Sequence, residues 1–99
     1  MAKKGYWIGH VNITDPERYN DYIAANAEPL KKYGARFLVR NGECEVPEGG
    51  LGGRRHVVLE FASYADAKAC YNSPEYQAAI EIRNEASTGD LVIIEGYEG

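Results

Sequence analysis

Ser73-Pro74-Glu75-Tyr76-Gln77-Ala78-Ala79-Ile80-Glu81-Ile82-Arg83 is the stretch whose reading decides the fold. Ser73 is a natural N-cap, since its hydroxyl accepts from a free backbone N–H of the first helical turn. Pro74 suits the first helical position, where its missing N–H costs nothing. Tyr76, Ala79, Ile80 and Arg83 recur at three- and four-residue spacing and so share one face of the helix. A guanidinium on a face that has to be buried needs a partner there, either an ion pair or a ligand.

Upstream of this helix lies another short one. Ser63 with Asp66 is a capping signal, and Ala65, Ala69, Cys70 and Tyr71 carry a helical run that ends near Asn72. Before it, His56 to Phe61 is the most apolar strand of the first two thirds. Val57, Leu59 and Phe61 line one side, and His56, Val58 and Glu60 the other. Arg36 to Arg40 is a shorter strand, with Phe37 and Val39 on one side and Arg36, Leu38 and Arg40 on the other. A Gly- and Glu-rich loop, Asn41 to Gly53, joins the two strands.

The first third repeats the pattern of strand, cap and helix. Tyr6 to Ile13 alternates Trp7, Gly9, Val11 and Ile13 against Tyr6, Ile8, His10 and Asn12. Thr14-Asp15-Pro16-Glu17 ends it, either as a Thr14–Glu17 capping box or with Asp15 as N-cap and Pro16 at the first position. Tyr19, Tyr22, Ile23, Leu30 and Tyr33 then mark an amphipathic helix. Pro29 inside it predicts a kink, and Gly34 is the natural left-handed terminator. The chain closes on a strand from Asp90 to Tyr97, with Leu91, Ile93, Glu95 and Tyr97 alternating against Val92, Ile94 and Gly96.

The order β-α-β-β-α-β over residues 1–99, with no linker, is the α+β, ferredoxin-like arrangement of a single domain. Right-handed crossovers put the helices on one face of a four-stranded antiparallel sheet of order 4-1-3-2. The open face is expected to carry Ile8, His10, Asn12, Leu38, Val58, Leu91, Ile93 and Tyr97, together with Arg40, Glu60 and Glu95. Such a mixed apolar face implies an interface, and a two-fold homodimer with the sheets packed face to face covers it most economically.

Composition excludes several classes. A net charge of −4 without a basic stripe argues against nucleic acid and against anionic membrane. No apolar run approaches membrane-span length, and no secretory signal opens the chain. Cys44 and Cys70 form no disulfide framework, so a cytoplasmic protein with reduced thiols is expected. The eight tyrosines suit half-buried strands or the walls of a pocket.

Asp15-Pro16-Glu17-Arg18-Tyr19 leading to Tyr22, Tyr33-Gly34-Ala35-Arg36, Arg40 with Gly42, Glu48-Gly49, Glu60-Phe61, Ser73 to Gln77 with Arg83, and Glu95-Gly96 occur in that order along the chain. Together they resemble the domain of unknown function 1330 family, within the dimeric α+β barrel superfamily. The chain departs from the family at Ala35, where a second glycine is usual, and in its longer Gly49 to Gly53 extension. The resemblance implies a ferredoxin-like homodimer and assigns no activity. The wider superfamily holds cofactor-free monooxygenases, haem enzymes, isomerases and non-catalytic modules.

His10, mid-strand beside strands that bear Glu60 and Glu95, is the candidate general base; otherwise it is a hydrogen-bonded interface histidine. Arg83 with Tyr76 is a candidate clamp for a ligand carboxylate; otherwise it is an anchor paired with an acid such as Glu60. Arg40 and Glu60 complete the candidate ligand-binding residues. Arg54 and Arg55 follow a glycine-rich loop that lacks the ending of a phosphate-binding loop. No metal-ligand spacing is present, and no cofactor is expected. The function expected is binding of a small molecule, or an accessory role, by a dimeric barrel. The alternative is a cofactor-free enzyme, monooxygenase- or isomerase-like, on a small carboxylated or aromatic metabolite.

Overall fold

A computed structural model describes residues 3–98. Strand β1 (Gly5–Ile13) leads to helix α1 (Pro16–Lys32), strands β2 (Arg36–Arg40) and β3 (Arg55–Phe61), helices α2 (Tyr64–Asn72) and α3 (Pro74–Ala86), and strand β4 (Ser87–Glu95). The strands form one antiparallel sheet of order β2-β3-β1-β4, the same as 4-1-3-2. The expected ferredoxin-like architecture is therefore the one adopted.

The caps form where the residue types place them. Of the two signals ahead of α1, Asp15 is the N-cap: it accepts from the Arg18 N–H at 3.1 Å, with Pro16 first in the helix. Helix α1 carries Pro29 within it and closes on Gly34, whose φ of 72° is the left-handed conformation that glycine takes without strain. Ser63 opens α2 by accepting from the Asp66 N–H. Ser73 serves two helices. Its hydroxyl donates to the Cys70 carbonyl at 2.7 Å, at the end of α2, and accepts from the Tyr76 N–H at 3.2 Å, at the start of α3. The Ala86 carbonyl at the end of α3 accepts from the Thr14 and Asp15 N–H groups, fastening that helix to the β1–α1 turn.

The core lies between helices and sheet. Trp7, Leu59 and Phe61 from the sheet meet Tyr19, Tyr22, Leu30, Ala67, Cys70, Tyr76, Ala79 and Ile80 from the helices. Trp7 is central. Its ring centroid lies 5.1 Å from that of Phe61 and 4.8 Å from that of Tyr76, and its indole N–H donates to the Ala67 carbonyl at 2.9 Å.

Two face assignments differ from expectation. Phe37 pairs with Leu59, but Val39 pairs with Val58 and Arg40 with Val57, so a bulge at Leu38 shifts the register. Directly opposed residues project to the same side. Past the bulge, Val39 turns to the open face and Arg40 to the helix face, the reverse of strict alternation. In β4, Leu91 opposes Gly9 and Ile93 opposes Trp7, which puts both beneath the helices. Val92 and Ile94 take their place on the open face, where they are 46% and 47% exposed. Tyr97 lies beyond β4 and is almost wholly exposed. The open face remains apolar, through Ile8, Val39, Val58, Val92 and Ile94, but with different members.

Because Ser73 ends one helix and starts the next from a buried position, Ser73→Ala removes two hydrogen bonds at one site. The expected loss is about 1–2 kcal/mol of stability, the usual cost of an N-cap deletion. It is read as a lower urea midpoint with an unchanged denaturant slope.

Candidate functional site

A cavity of about 110 Å³ opens between the helical layer and the sheet. Its sheet wall is Trp7, Gly9, Val57, Leu59 and Leu91, and its helical wall is Tyr19, Tyr22, Leu30, Tyr76 and Arg83. Gly9 helps to keep it open. A methyl at this position would stand 3.1 Å from a Val57 methyl and 3.6 Å from one of Leu91.

Three arginines line this cavity: Arg40 from β2, Arg55 from β3 and Arg83 from α3. Each stands over an aromatic ring. The guanidinium carbon of Arg40 is 4.2 Å from the Phe37 centroid, that of Arg55 is 5.8 Å from Tyr19, and that of Arg83 is 6.0 Å from Tyr22. None of the three has a carboxylate partner among the described residues. The Arg55 Nε–H is buried with no hydrogen-bond partner.

Arg83 donates to the Tyr76 hydroxyl at 3.3 Å, and Tyr76 in turn shares a hydrogen bond with the Tyr22 hydroxyl. The ion pair with Glu60 considered for Arg83 does not form. Burial, followed by the neighbouring Tyr22, pushes the Tyr76 phenol far above its ordinary range. Tyr19 is raised as well, chiefly by burial, although Arg55 and Arg83 both pull it down. Burial also pushes the Cys70 thiol up to about 12. All of these groups are thus protonated at neutral pH.

The remaining candidates lie on the other side of the sheet. His10 opposes His56, and their Nδ1 atoms are 2.9 Å apart, so one ring donates to the other. Its neighbour is therefore a histidine, with Asp90 opposite on β4, and not Glu60 or Glu95. Glu60 opposes Tyr6, accepts from its hydroxyl at 3.1 Å and stands 4.0 Å from the Arg36 Nε. That hydrogen bond is the main reason the Tyr6 phenol is raised. Asp90, the one acid among the cavity-lining residues, shares the face of His10 and is held by Arg54 at 3.0 Å. Of the sequence candidates, then, Tyr76, Arg83 and Arg40 come together at the cavity, while His10 and Glu60 do not. Tyr19, Tyr22 and Arg55 join the first three. Among the described residues no cluster of three or more His, Cys, Asp or Glu side chains is placed to hold a metal ion, and no helix is long and apolar enough to cross a membrane.

A four-stranded antiparallel sheet with helices on one face only defines a ferredoxin-like α+β protein, with a polar-ended cavity between its layers. The family model described as "Domain of unknown function (DUF1330)" matches residues 4–97, and the chain belongs to that family. No curated protein matches it. Among solved structures, the chain is similar to a protein of unknown function from Rhodopseudomonas palustris, at 15% identity and a TM-score of 0.79, over 100% of this chain and 86% of that one. It is also similar to a cofactor-independent oxygenase from Streptomyces nogalater, at 10% identity and a TM-score of 0.67, over 99% and 97%. A hydroxynitrile lyase from Passiflora edulis aligns at 15% identity and a TM-score of 0.69, over 100% and 98%. At these identities the likeness is one of fold.

The raised groups carry a pH prediction. A group that holds its proton more tightly in the fold lends stability that is intact below its unfolded pKa and is lost as pH rises through the folded one. For Cys70 that window runs from 9.0 to about 12, and Tyr19 and Tyr76 act in the same direction from 10.0 upward. The thermal midpoint should therefore fall above about pH 9. The fall should be shallower in Tyr76→Phe, and an equal slope in the two proteins would contradict the assignment.

Proposed function

We propose that this protein is a homodimer that binds a small anionic, ring-sized metabolite in the cavity between its helices and sheet. The observation that carries the reading is the convergence of Arg40, Arg55 and Arg83 on one apolar cavity with no carboxylate to neutralise them. Arg55 and Arg83 are half-buried, where a guanidinium left without a matching acid is costly and a bidentate carboxylate satisfies it, while Arg40 is exposed at the cavity rim. Trp7, Tyr22, Leu59 and Leu91 supply the apolar wall that a ring requires. The absence of His, Cys and Glu from the lining favours binding over catalysis.

A cofactor-free enzyme acting on the same class of molecule is the second reading. The oxygenase and the lyase among the structural neighbours favour it. The place of His10 does not, because the base would stand across the sheet from the ligand. A catalyst in this cavity would have to use the tyrosine hydroxyls as its acids.

Two measurements test the proposal. Trp7 is the sole tryptophan and lines the cavity, so its fluorescence reports occupancy. Titration with benzoate should change its emission. Arg83→Gln should remain folded, since Arg83 anchors no ion pair, and should bind about tenfold or more weakly, the worth of a charged hydrogen bond. Unchanged affinity in the variant would remove Arg83 from the site. For the dimer, the support is the apolar open face. Wild type should sediment at twice the protomer mass, and Ile94→Glu, which places a charge among Ile8, Val92 and Val58, should shift it to the protomer.

A further inference from the structure

Among the described residues three glycines lie within strands, Gly5 and Gly9 in β1 and Gly89 in β4. A glycine there weakens the strand. It has a reason to stand where the backbone bends, where another backbone comes close, or where a ligand does. Close backbone accounts for two of the three. A side chain at Gly5 would run into the backbone of Ser63 and Tyr64, and one at Gly89 into that of His10 and Val11. Gly9 has neither of the first two reasons. Its φ is not left-handed, and its pairing with Val57 and Leu91 runs through without a bulge. A methyl there would meet side-chain methyls first, of Val57 at 3.1 Å and of Leu91 at 3.6 Å. Gly9 is nevertheless buried on a central strand, and it lines the cavity. Close approach of a ligand is the reason left.

The register places that approach. Directly opposed residues share a side of the sheet. The helix side therefore carries three successive rows: Trp7 with Leu59 and Ile93, Gly9 with Val57 and Leu91, and Val11 with Arg55 and Gly89. The bare row lies between the Trp7 indole and the row of Arg55. The buried Nε–H of Arg55 has no partner, and Arg55 and Arg83 both pull down the Tyr19 phenol, so these two guanidiniums work on one place. Arg40 is exposed, stands opposite Val57 and is diagonal to Arg55, so it adds charge at the rim of that same side.

Two residues along a strand span about 7 Å. That matches the reach from the centre of a six-membered ring through its carboxylate to a hydrogen-bonded donor. A ring lying on Gly9 thus puts its acid group at Arg55. The floor under the ring is bare peptide, the branched side chains of Val57 and Leu91 stand beside it, and the helical wall brings Tyr22 and Tyr76. A slot of this kind, about 110 Å³ in volume, suits a thin body better than a thick one.

Resting on the binding function proposed above, we infer that Gly9 is the specificity-determining residue of that site, and that the ligand is a flat monocarboxylate whose ring lies on the Gly9 backbone with its acid group on Arg55 and Arg83.

The test is calorimetric titration of the full chain, wild type and Gly9→Ala, with benzoate and cyclohexanecarboxylate. The two acids share charge and ring size, but the second is puckered and thicker. Wild type should bind benzoate at least about tenfold more tightly. Gly9→Ala should fold with its thermal midpoint unchanged or raised, because the Val57 methyl has to yield by only a few tenths of an ångström and alanine suits a strand better than glycine. It should bind benzoate about tenfold or more weakly, the worth of one misplaced methyl in a fitted pocket. Gly9→Ala combined with Val57→Ala should recover part of that affinity, which a purely structural glycine would not do. Arg55→Gln should weaken both acids alike. A Gly9→Ala protein that unfolds, or one that binds benzoate as wild type does, overturns the Gly9 assignment and leaves the site to stand on the Arg83→Gln result. Equal wild-type affinities for the two acids overturn the flat ligand. Failure of both acids to bind wild type overturns the site itself.

Discussion

The Trp7 indole is the constraint on which the rest of the molecule hangs. It projects from the central strand into the helical layer, packs on Phe61, Tyr71 and Tyr76, and gives its one hydrogen bond to the Ala67 carbonyl in α2. A buried tryptophan brings a large apolar area together with one donor that must be satisfied, so it fixes distance and orientation at once. By holding Ala67 and Tyr76 it sets α2 and the start of α3 against the sheet. Ser73 then fixes the angle between those helices, because one hydroxyl has to reach Cys70 behind it and Tyr76 ahead of it. Arg83 sits two turns further along α3, so its place over the cavity follows from those two anchors.

A second constraint is the missing side chain at Gly9. Trp7 and Gly9 point to the same side of β1, one filling the space beneath the helices and the other leaving it open. The core is solid at Trp7 and hollow two residues later. The hollow coincides with the end of the sheet where Arg40 and Arg55 enter. Packing and vacancy thus come from two same-side positions of a single strand, Trp7 and Gly9.

The architecture was legible because each element carried its own local signal. Period-two strands, Asp15-Pro16, Gly34, Ser63 and Ser73-Pro74 all acted where simple chemistry places them. The side-chain pairings were harder to read. His10 and His56 stand opposite each other because of a register that depends on where β3 begins after a long loop, and no local pattern fixes that. Alternation failed for β2 because a bulge inserts one residue, and a one-residue slip moves every later side chain to the other face. In β4 the expected partition put Leu91 and Ile93 on the wrong side, since Val92 and Ile94 are equally apolar and hydropathy alone cannot separate them. Arg83 and Tyr76 were found because helical spacing tied them together. Arg55 was weighed only together with Arg54, as the end of a glycine-rich loop, because no local pattern shows that β3 begins at Arg55 and turns its side chain to the helix face.

The way the chain holds its arginines bears on what the cavity can do. An ion pair would have stabilised each guanidinium but would also have occupied its hydrogen-bonding fork. A ring face compensates part of the charge through its quadrupole and leaves the in-plane N–H groups for another acceptor. Phe37, Tyr19 and Tyr22 play that part for Arg40, Arg55 and Arg83. The tyrosine hydroxyls are kept protonated by burial. The three guanidiniums are donors only, whereas the Tyr76 hydroxyl already accepts from Arg83 and shares a hydrogen bond with Tyr22. Three acids are engaged away from these arginines, Glu60 by Tyr6 and Arg36, Asp90 by Arg54, and Glu85 by Arg18. That division is a property of side-chain placement, and it gathers cationic side chains at the cavity of a protein whose overall charge is −4.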